Sequence, residues 1–333
     1  MTTNTLTPPV TPPVPGSPAP SDPALGTPRR SLRRRRKAAD DEADRGIVST
    51  GDWRLAHVRI TMRTLQGLLF AGLVICGLGP MLWLLKSALT PTQDTLRQPL
   101  ALFPHGIDWA NLVDAWTQVN VGVYVWNTLA LALGCWFVQI LVATTAGYAL
   151  SVLRPRYGRA LMGLVLGTLF VPSIVLLVPL YLTILHPPLL HTSMINTFWA
   201  VWLPSGASAF NVLIVARFFD SLPREVFEAA RTDGAGPFRL FWSIVLPMSK
   251  PIIGVVSVFA VIASFNDFLW PFLVLPNTAL QPLSVRLPSI ETTTDLGVFL
   301  AALTIATFIP VVLFLVMQRF FLHGAGMQGA VKG

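Results

Sequence analysis

Long apolar runs separated by short polar breaks fill most of this chain. A helix needs about 20 mainly apolar residues to cross a bilayer core about 30 Å thick. Six runs meet that length, at residues 64–85, 124–150, 160–185, 192–216, 251–276 and 296–318. The first has 22 residues and no charge, and the fifth holds a single acid, Asp267. The pattern predicts an all-α polytopic membrane protein of about six transmembrane helices. An even number of spans leaves both termini on one side. Gly163 and Gly167 in the third run have the small-xxx-small spacing that lets helix backbones approach closely. Pro172, Pro179 and Pro204 free backbone carbonyls that neighbouring groups must satisfy.

Composition agrees with this picture. The chain is 53% hydrophobic and only 12% charged, where a soluble domain carries about 25% charge. Cys76 and Cys135 lie inside apolar runs without CxxC spacing, which points to packing rather than to a disulfide or a thiolate metal site. The first 28 positions hold nine prolines. Such a stretch buries no core, so residues 1–50 are expected to be a disordered, proline-rich and basic tail. Residues 51–333 are then the membrane domain.

The net charge of +8 raises nucleic acid as a partner, and the placement of the charge argues against it. Eleven of the 24 basic residues precede Thr64, among them the run Arg33 to Lys37, with no aromatic residues interleaved. The next basic groups fall in alternate breaks: Arg154, Arg156 and Arg159, then Arg217, Arg224, Arg231, Arg239 and Lys250, then Arg319 and Lys332. The intervening breaks hold only Lys86 and Arg97, none, and Arg286. Basic loops stay on the cytoplasmic side, so both termini are expected there. Attraction to anionic lipid headgroups follows as a secondary effect.

One break, residues 217–250 between runs four and five, is long and patterned: EAARTDGAGPFRLFWSIVLP spans Glu228 to Pro247. Pro223 suits a first helical turn, with Asp220 and Ser221 as caps. Glu225 and Glu228 sit early, where the helix dipole favours acids. Val226, Ala229 and Ala230 share a face at i, i+3, i+4. Gly234 and Gly236 end the helix and permit a reversal. Pro237 opens a second short helix that runs to Leu246, and Pro247 breaks it before the fifth span. The break therefore predicts a cytoplasmic helix–turn–helix.

The spacing of Glu228-Ala229-Ala230, Gly234 and Ile244-Val245-Leu246-Pro247 resembles the EAA loop of bacterial ABC importer permeases. Phe218 to Pro223 is similar to the family's run into that loop. Ser264 to Pro271 resembles the W-N-D/E-F-L-W-P stretch of sugar permeases, with Phe265 at the usual tryptophan. Gly329 to Gly333 resembles the tail of the second, maltose-type, permease subunit. The likeness runs from about Thr64 to the end. It implies a permease of the bacterial cell membrane that shares a sugar path with a second permease. It also implies two ABC ATPase subunits, which bind ATP and Mg, and an extracytoplasmic solute-binding protein. Glu228, Ala229, Ala230, Gly234, Gly236, Ile244, Leu246 and Pro247 would then form the ATPase-coupling loop. No GxxxxGK[ST] phosphate loop occurs, so no cofactor is expected on this chain and the energy is expected from the partners.

Candidates for the solute path are Asn266, Asp267, Ser208 and Asn211. At about 1.5 Å per residue Asp267 lies about 24 Å from Pro251, toward the outer side. It reads equally as a path-facing acid and as a satisfied cap near Trp270. Ser208 and Asn211 share a face with Pro204, and interhelical hydrogen bonding is the favoured reading there. Two further readings stay open. One is an ABC permease for another polyol or glycerol phosphate. The other is an ion-coupled secondary transporter, which calls for ionisable groups at mid-membrane and for internal repeats. A membrane enzyme is disfavoured, because no GxSxG, HExxH or facing acid pair occurs.

Overall fold

The computed structural model describes residues 56–99, 101, 106–188 and 191–326, with side chains described up to Val316. The predicted tail at residues 1–50 lies outside the described residues. The chain divides into two compact units inside the first helix, α1 (Ala56–Ala88), between Ile75 and Cys76, and every later element belongs to the second unit. The further elements are α2 (Thr92–Arg97), α3 (Ala110–Thr117), α4 (Val121–Tyr148), α5 (Gly158–Thr168) and α6 (Leu177–Leu185). Then come α7 (Trp199–Ser205), α8 (Ala209–Asp220), α9 (Arg224–Thr232), α10 (Pro237–Leu240) and α11 (Leu246–Met248). The last are α12 (Lys250–Asn266), α13 (Leu269–Val274), α14 (Leu283–Ile290) and α15 (Leu296–Gly326). No strand occurs among the described residues.

α4 is the mast of the fold. With the π-helical turn Ala149–Leu153 it forms one 33-residue apolar rod, about 50 Å long at 1.5 Å per residue. It contributes to three separate cores. Tyr148 and Ala143 pack with Val215, Phe219, Phe227 and Val245. Val121 and Tyr124 pack with Leu283, Ile290 and Ala301. Leu131 and Cys135 pack with Ile184, Val201 and Val274. Two glycines make this possible. A Cβ on Gly134 would lie 2.1 Å from the Trp202 indole, and one on Gly147 would lie 2.9 Å from Val215. Polar side chains of α4 also tie down the chain that follows α13. Asn127 Nδ2 donates to the carbonyls of Ala279 and Gln281 at 2.8 and 3.1 Å. Leu283 N donates to Thr128 Oγ1 at 2.9 Å.

Three helices are long and apolar enough to cross a membrane, and up to six spans result if each bent pair counts as one. The third and fourth runs are broken rather than straight. α5 and the segment Ser173–Leu185 meet at 100°. Pro172 is the reason: its ring would clash with the carbonyl of Thr168, where α5 ends. α7 and α8 meet at 44° across Gly206–Ser208. The fifth run is helical only to Asn266, and its remainder forms the separate α13. Gly163 and Gly167 have open space around them, so the close approach expected of that pair is not made within the described residues. Exposed apolar side chains such as Leu164, Phe170 and Ile174 cover the third run, as suits a surface in lipid.

Candidate functional site

The patterned loop lies between α8 and α12. α8 ends at Asp220, three residues turn the chain, and α9 begins at Arg224. Pro223 is its N-cap, with φ −58° and ψ 126°, and no side chain caps it. The expected capping by Asp220 is not made. Asp220 is instead the last residue of α8, and its carboxylate accepts from Arg154 Nη2 at 2.9 Å. Arg154 stands in the left-handed region, φ 49°, just after the π turn of α4, and its Nε donates to Ser151 O. The ion pair thus joins the end of α4 to the end of α8. Beside it a pocket of about 200 Å³ is lined by Arg154, Asp220, Glu228 and Arg231.

The spacing from the alanines to the glycine has a backbone cause. Gly234 N donates to Arg231 O at 3.0 Å and Ala235 N donates to Ala230 O at 2.9 Å. These two bonds are the Schellman ending, with Gly234 at the left-handed position, φ 79°. Ala235 packs against the cluster that holds Ala230, supplying the apolar contact that accompanies this ending. Three residues between alanine and glycine are therefore a geometric requirement of the turn.

The buried face of α9 differs from the expected one. Phe227 and Ala230 are buried, whereas Glu228 and Ala229 are exposed and Val226 is half-buried. Phe227, with more apolar surface to bury than Val226, joins the cluster that holds Phe219 and Phe241, and the buried face is turned by one residue from the expected one. Ala230 is thus a core residue, and Ala229 is the open small position. Gly234 and Gly236 are exposed, and Gly236 is the extended N-cap of α10.

After α10 the chain makes a π turn at Phe241–Val245, then α11. The extra residue of a π turn shifts the facing of the residues after it. Val245 is fully buried as a result, while Ile244 and Leu246 are half-buried and Pro247 is exposed. The chain does not break at Pro247 but at the fully buried Ser249, where α10–α11 and α12 meet at 78°. Tyr148, at the end of α4, clasps this second helix. Its hydroxyl donates to Pro237 O at 2.8 Å and its ring lies 5.0 Å from that of Phe241. Tyr148 and Arg154 were not legible as partners of this loop, since they lie more than sixty residues upstream, and nothing local marked Phe227 and Val245 as its buried side chains. The arginine's only signal was its place just after an apolar run.

The four candidates for the solute path separate into two groups. Ser208 is the N-cap of α8 and accepts from Asn211 N at 3.4 Å. Asn211 Nδ2 donates to Gln139 Oε1 at 2.7 Å, and both side chains are buried, so this pair joins α8 to α4. Asn266 and Asp267 sit at the break after α12, and they face different cavities. Asn266 lines one of about 250 Å³ with Phe265, Leu283 and Phe314. Asp267 lines another of about 270 Å³ with Cys135, Gln139, Ser264 and Trp270. Thr128 borders both. Asp267 also bridges the break, accepting from Trp270 N at 3.3 Å through its carboxylate and from Ser284 Oγ at 3.0 Å through its carbonyl. Among the described residues no group of three or more His, Cys, Asp or Glu is placed to hold a metal.

Residues 139–324, which include the loop, Asn266, Asp267 and the last span, match the family of binding-protein-dependent transport system inner membrane components. The chain belongs to this family. It is an ABC transporter permease, a multi-pass membrane subunit without a catalytic site of its own. The permease is 31% identical over 258 residues to the probable ABC transporter permease protein YurM of Bacillus subtilis, covering 76% of this chain and 83% of that one. It is 31% identical over 262 residues to the diacetylchitobiose uptake system permease protein NgcG of Streptomyces coelicolor, covering 76% and 83%. The melibiose/raffinose/stachyose import permease protein MelC of Bacillus subtilis is 29% identical over 237 residues, covering 70% and 84%. The fold also matches a chain in the crystal structure of a bacterial ABC transporter involved in the import of the acidic polysaccharide alginate. The TM-score is 0.68 at 20% identity, over 80% of this chain and 98% of that one.

Proposed function

We propose that this permease forms, with a second permease subunit, the translocation path of an ATP-driven importer for a sugar or oligosaccharide. The names of the relatives support the solute class: diacetylchitobiose, melibiose, raffinose, stachyose and lactose. Two ABC ATPase subunits bind ATP with Mg and hydrolyse it, and a solute-binding protein delivers the sugar from outside. The chain lies in a bacterial plasma membrane with both termini cytoplasmic, on the strength of its basic loops. The loop at residues 217–250 then faces the ATPases.

The observation that carries the coupling role is the clasped loop. α9 offers exposed Glu228 and Ala229 to a partner, while its other face is fixed to the ends of α4 and α8 and its chain leads through Ser249 into α12. A helix laid in a partner's groove is a recurring recognition mode. Here closure of the ATPases would move α9, and α9 would carry the bundle with it.

The experiment is purification of the tagged permease in mild detergent, with identification of its companions, followed by reconstitution in liposomes. ATP-dependent uptake of a neutral sugar, lost when the ATPase is omitted, is the expected result. Uptake driven by an ion gradient without the ATPase would restore the secondary-transporter reading. A second solute has a specific observation in its favour. The sn-glycerol-3-phosphate permease UgpE of Pectobacterium atrosepticum is 29% identical over 248 residues, covering 72% of this chain and 86% of that one. The same liposomes, given glycerol 3-phosphate with its binding protein, test that solute directly.

A further inference from the structure

The cavity beside Asp267 bears on the choice between a neutral sugar and a phosphate ester. It is bounded by α4, α7, α12 and α13, with Leu180 of α6 at its edge. Its polar lining consists of Thr128, Cys135, Gln139, Ser205, Ser264 and Asp267, and Trp270 is its aromatic residue. Among the described residues, no lysine, arginine or histidine lines it. Asp267 has no ion-pair partner among the described residues, and its one side-chain bond is the long contact from Trp270 N. Trp270 is held in place from behind, its Nε1 donating to Ala200 O at 2.9 Å. Gln139 is likewise fixed by Asn211. The groups that face the cavity are therefore positioned by their neighbours, as a binding wall requires.

We propose that this cavity is a subsite for a neutral polyhydroxylated solute and that Asp267 excludes anionic solutes from it. The inference rests on the permease reading above and narrows its substrate. A carboxylate, an amide and hydroxyl groups accept and donate hydrogen bonds to sugar hydroxyls, and an indole face packs on the apolar face of a sugar ring. At about 270 Å³ the cavity lies near the lower end of ligand sites, which run from about 300 to 1,000 Å³, so it takes one ring rather than a chain. A phosphate or uronate has no cation to meet there. In a cleft with low-dielectric walls, charge of one sign raises the local concentration of counter-ions by about tenfold or more, and Asp267 is the charged residue that lines this one. The second cavity lacks this property, since Asn266 and Thr128 are its main polar side chains and no charge lines it.

Cys135 reports on the cavity from inside, and Cys76 is the only other cysteine in the sequence. In the assembled importer in liposomes, with Cys76→Ser, the thiol is reacted with a cationic and an anionic methanethiosulfonate of equal size. Both depend equally on the thiolate fraction, so their rate ratio, divided by the same ratio for a small free thiol in the same buffer, isolates the field in the cavity. Because Cys135 is buried, a second reporter, Ser264→Cys in a Cys76→Ser/Cys135→Ala background, is measured beside it. This normalised ratio is expected to be about ten, and Asp267→Asn is expected to bring it near one. Glucose is expected to slow labelling and glucose 6-phosphate to leave it unchanged, with the phosphate becoming protective in Asp267→Asn. A ratio near one in the parent protein, failure of both thiols to react, protection by neither probe, or equal protection by both would overturn the proposal. ATP-driven sugar uptake is measured in the same liposomes with the parent protein. If uptake proceeds while the labelling results fail, the subsite alone is wrong; if uptake is absent, the importer reading falls instead.

Discussion

Gly234 shows how one residue decides a turn. Nothing lies within 4 Å of where a Cβ would be, so a side chain there meets no clash, yet the backbone stands at φ 79°. An L-residue in that region costs roughly 1–2 kcal/mol, and asparagine tolerates it better than most. Gly234→Asp is expected to leave the permease inserted while lowering uptake per ATP hydrolysed, with Gly234→Asn milder; the ratio of transported sugar to released phosphate in liposomes checks both. Glu228→Lys, at an exposed position, is expected to weaken ATPase recruitment without lowering the thermal midpoint of the permease. Unaltered recruitment in a pull-down would remove Glu228 from the docking surface. Asn211 belongs to a different class of residue. Asn211→Leu leaves Gln139 Oε1 without its donor, and such pairs in membranes are worth about 0.6 kcal/mol on average and about 1.7 at most. The double variant with Gln139→Leu is expected to recover most of that loss in a thermal unfolding series, as replacement of both partners by apolar groups is close to neutral.

At the scale of elements, the permease joins its loop to its longest helix at two points. Tyr148 is 6% exposed, and loss of its hydroxyl bond to Pro237 in Tyr148→Phe is expected to cost about 0.5–1.5 kcal/mol. The ring contact with Phe241 survives that change, so coupling is expected to fall only partly. The Arg154–Asp220 pair is 51% and 34% exposed, which holds its worth to about 0–1 kcal/mol and makes it sensitive to salt. Its value is positional. Asp220→Arg is expected to lower the sugar-to-ATP ratio, and the exchange with Arg154→Asp to restore part of it, aspartate being tolerant of the left-handed backbone at 154. A swap that recovers nothing would mean that the pair does not set the position of α9. The π turn Ala149–Leu153 follows directly on Tyr148, and the π turn Phe241–Val245 begins at the ring that Tyr148 touches. Neither was legible in the sequence, because one added residue changes no residue type and only advances the helical phase.

For the whole molecule, length and charge give an expected count of spans and an expected sidedness. Reporter fusions after residues 190 and 278 are expected on the outer side, and fusions after residues 156 and 234 on the cytoplasmic side. Removal of residues 2–50, which lie outside the described structure, is expected to leave uptake intact; a large loss would show that this segment takes part in transport. The bent helices change the interior more than the count. A rod would hide residues 266–268 inside a span, whereas the end of α12 at Asn266 opens backbone and side chains onto two cavities. Irregular backbone at membrane depth is tolerated where it is buried in protein or lines a wet cavity.

The sequence by itself determined the class, six membrane-length runs, the alternation of basic and basic-poor breaks, and the spacing of the loop at residues 217–250. Those are local properties: hydrophobic length, loop charge, and a helix ending whose partners lie within five residues of each other. Tertiary structure alone decided which face of α9 is buried, that α4 joins three cores, and that Asn266 and Asp267 look into different spaces. It also gave Asn211 the interhelical partner that its sequence only suggested, Gln139, and made Ser208 the cap of α8. Each of those outcomes depends on side chains far apart in the chain, 72 residues for Asn211 and Gln139 and 89 for Tyr148 and Pro237, and no local pattern encodes which distant groups will meet.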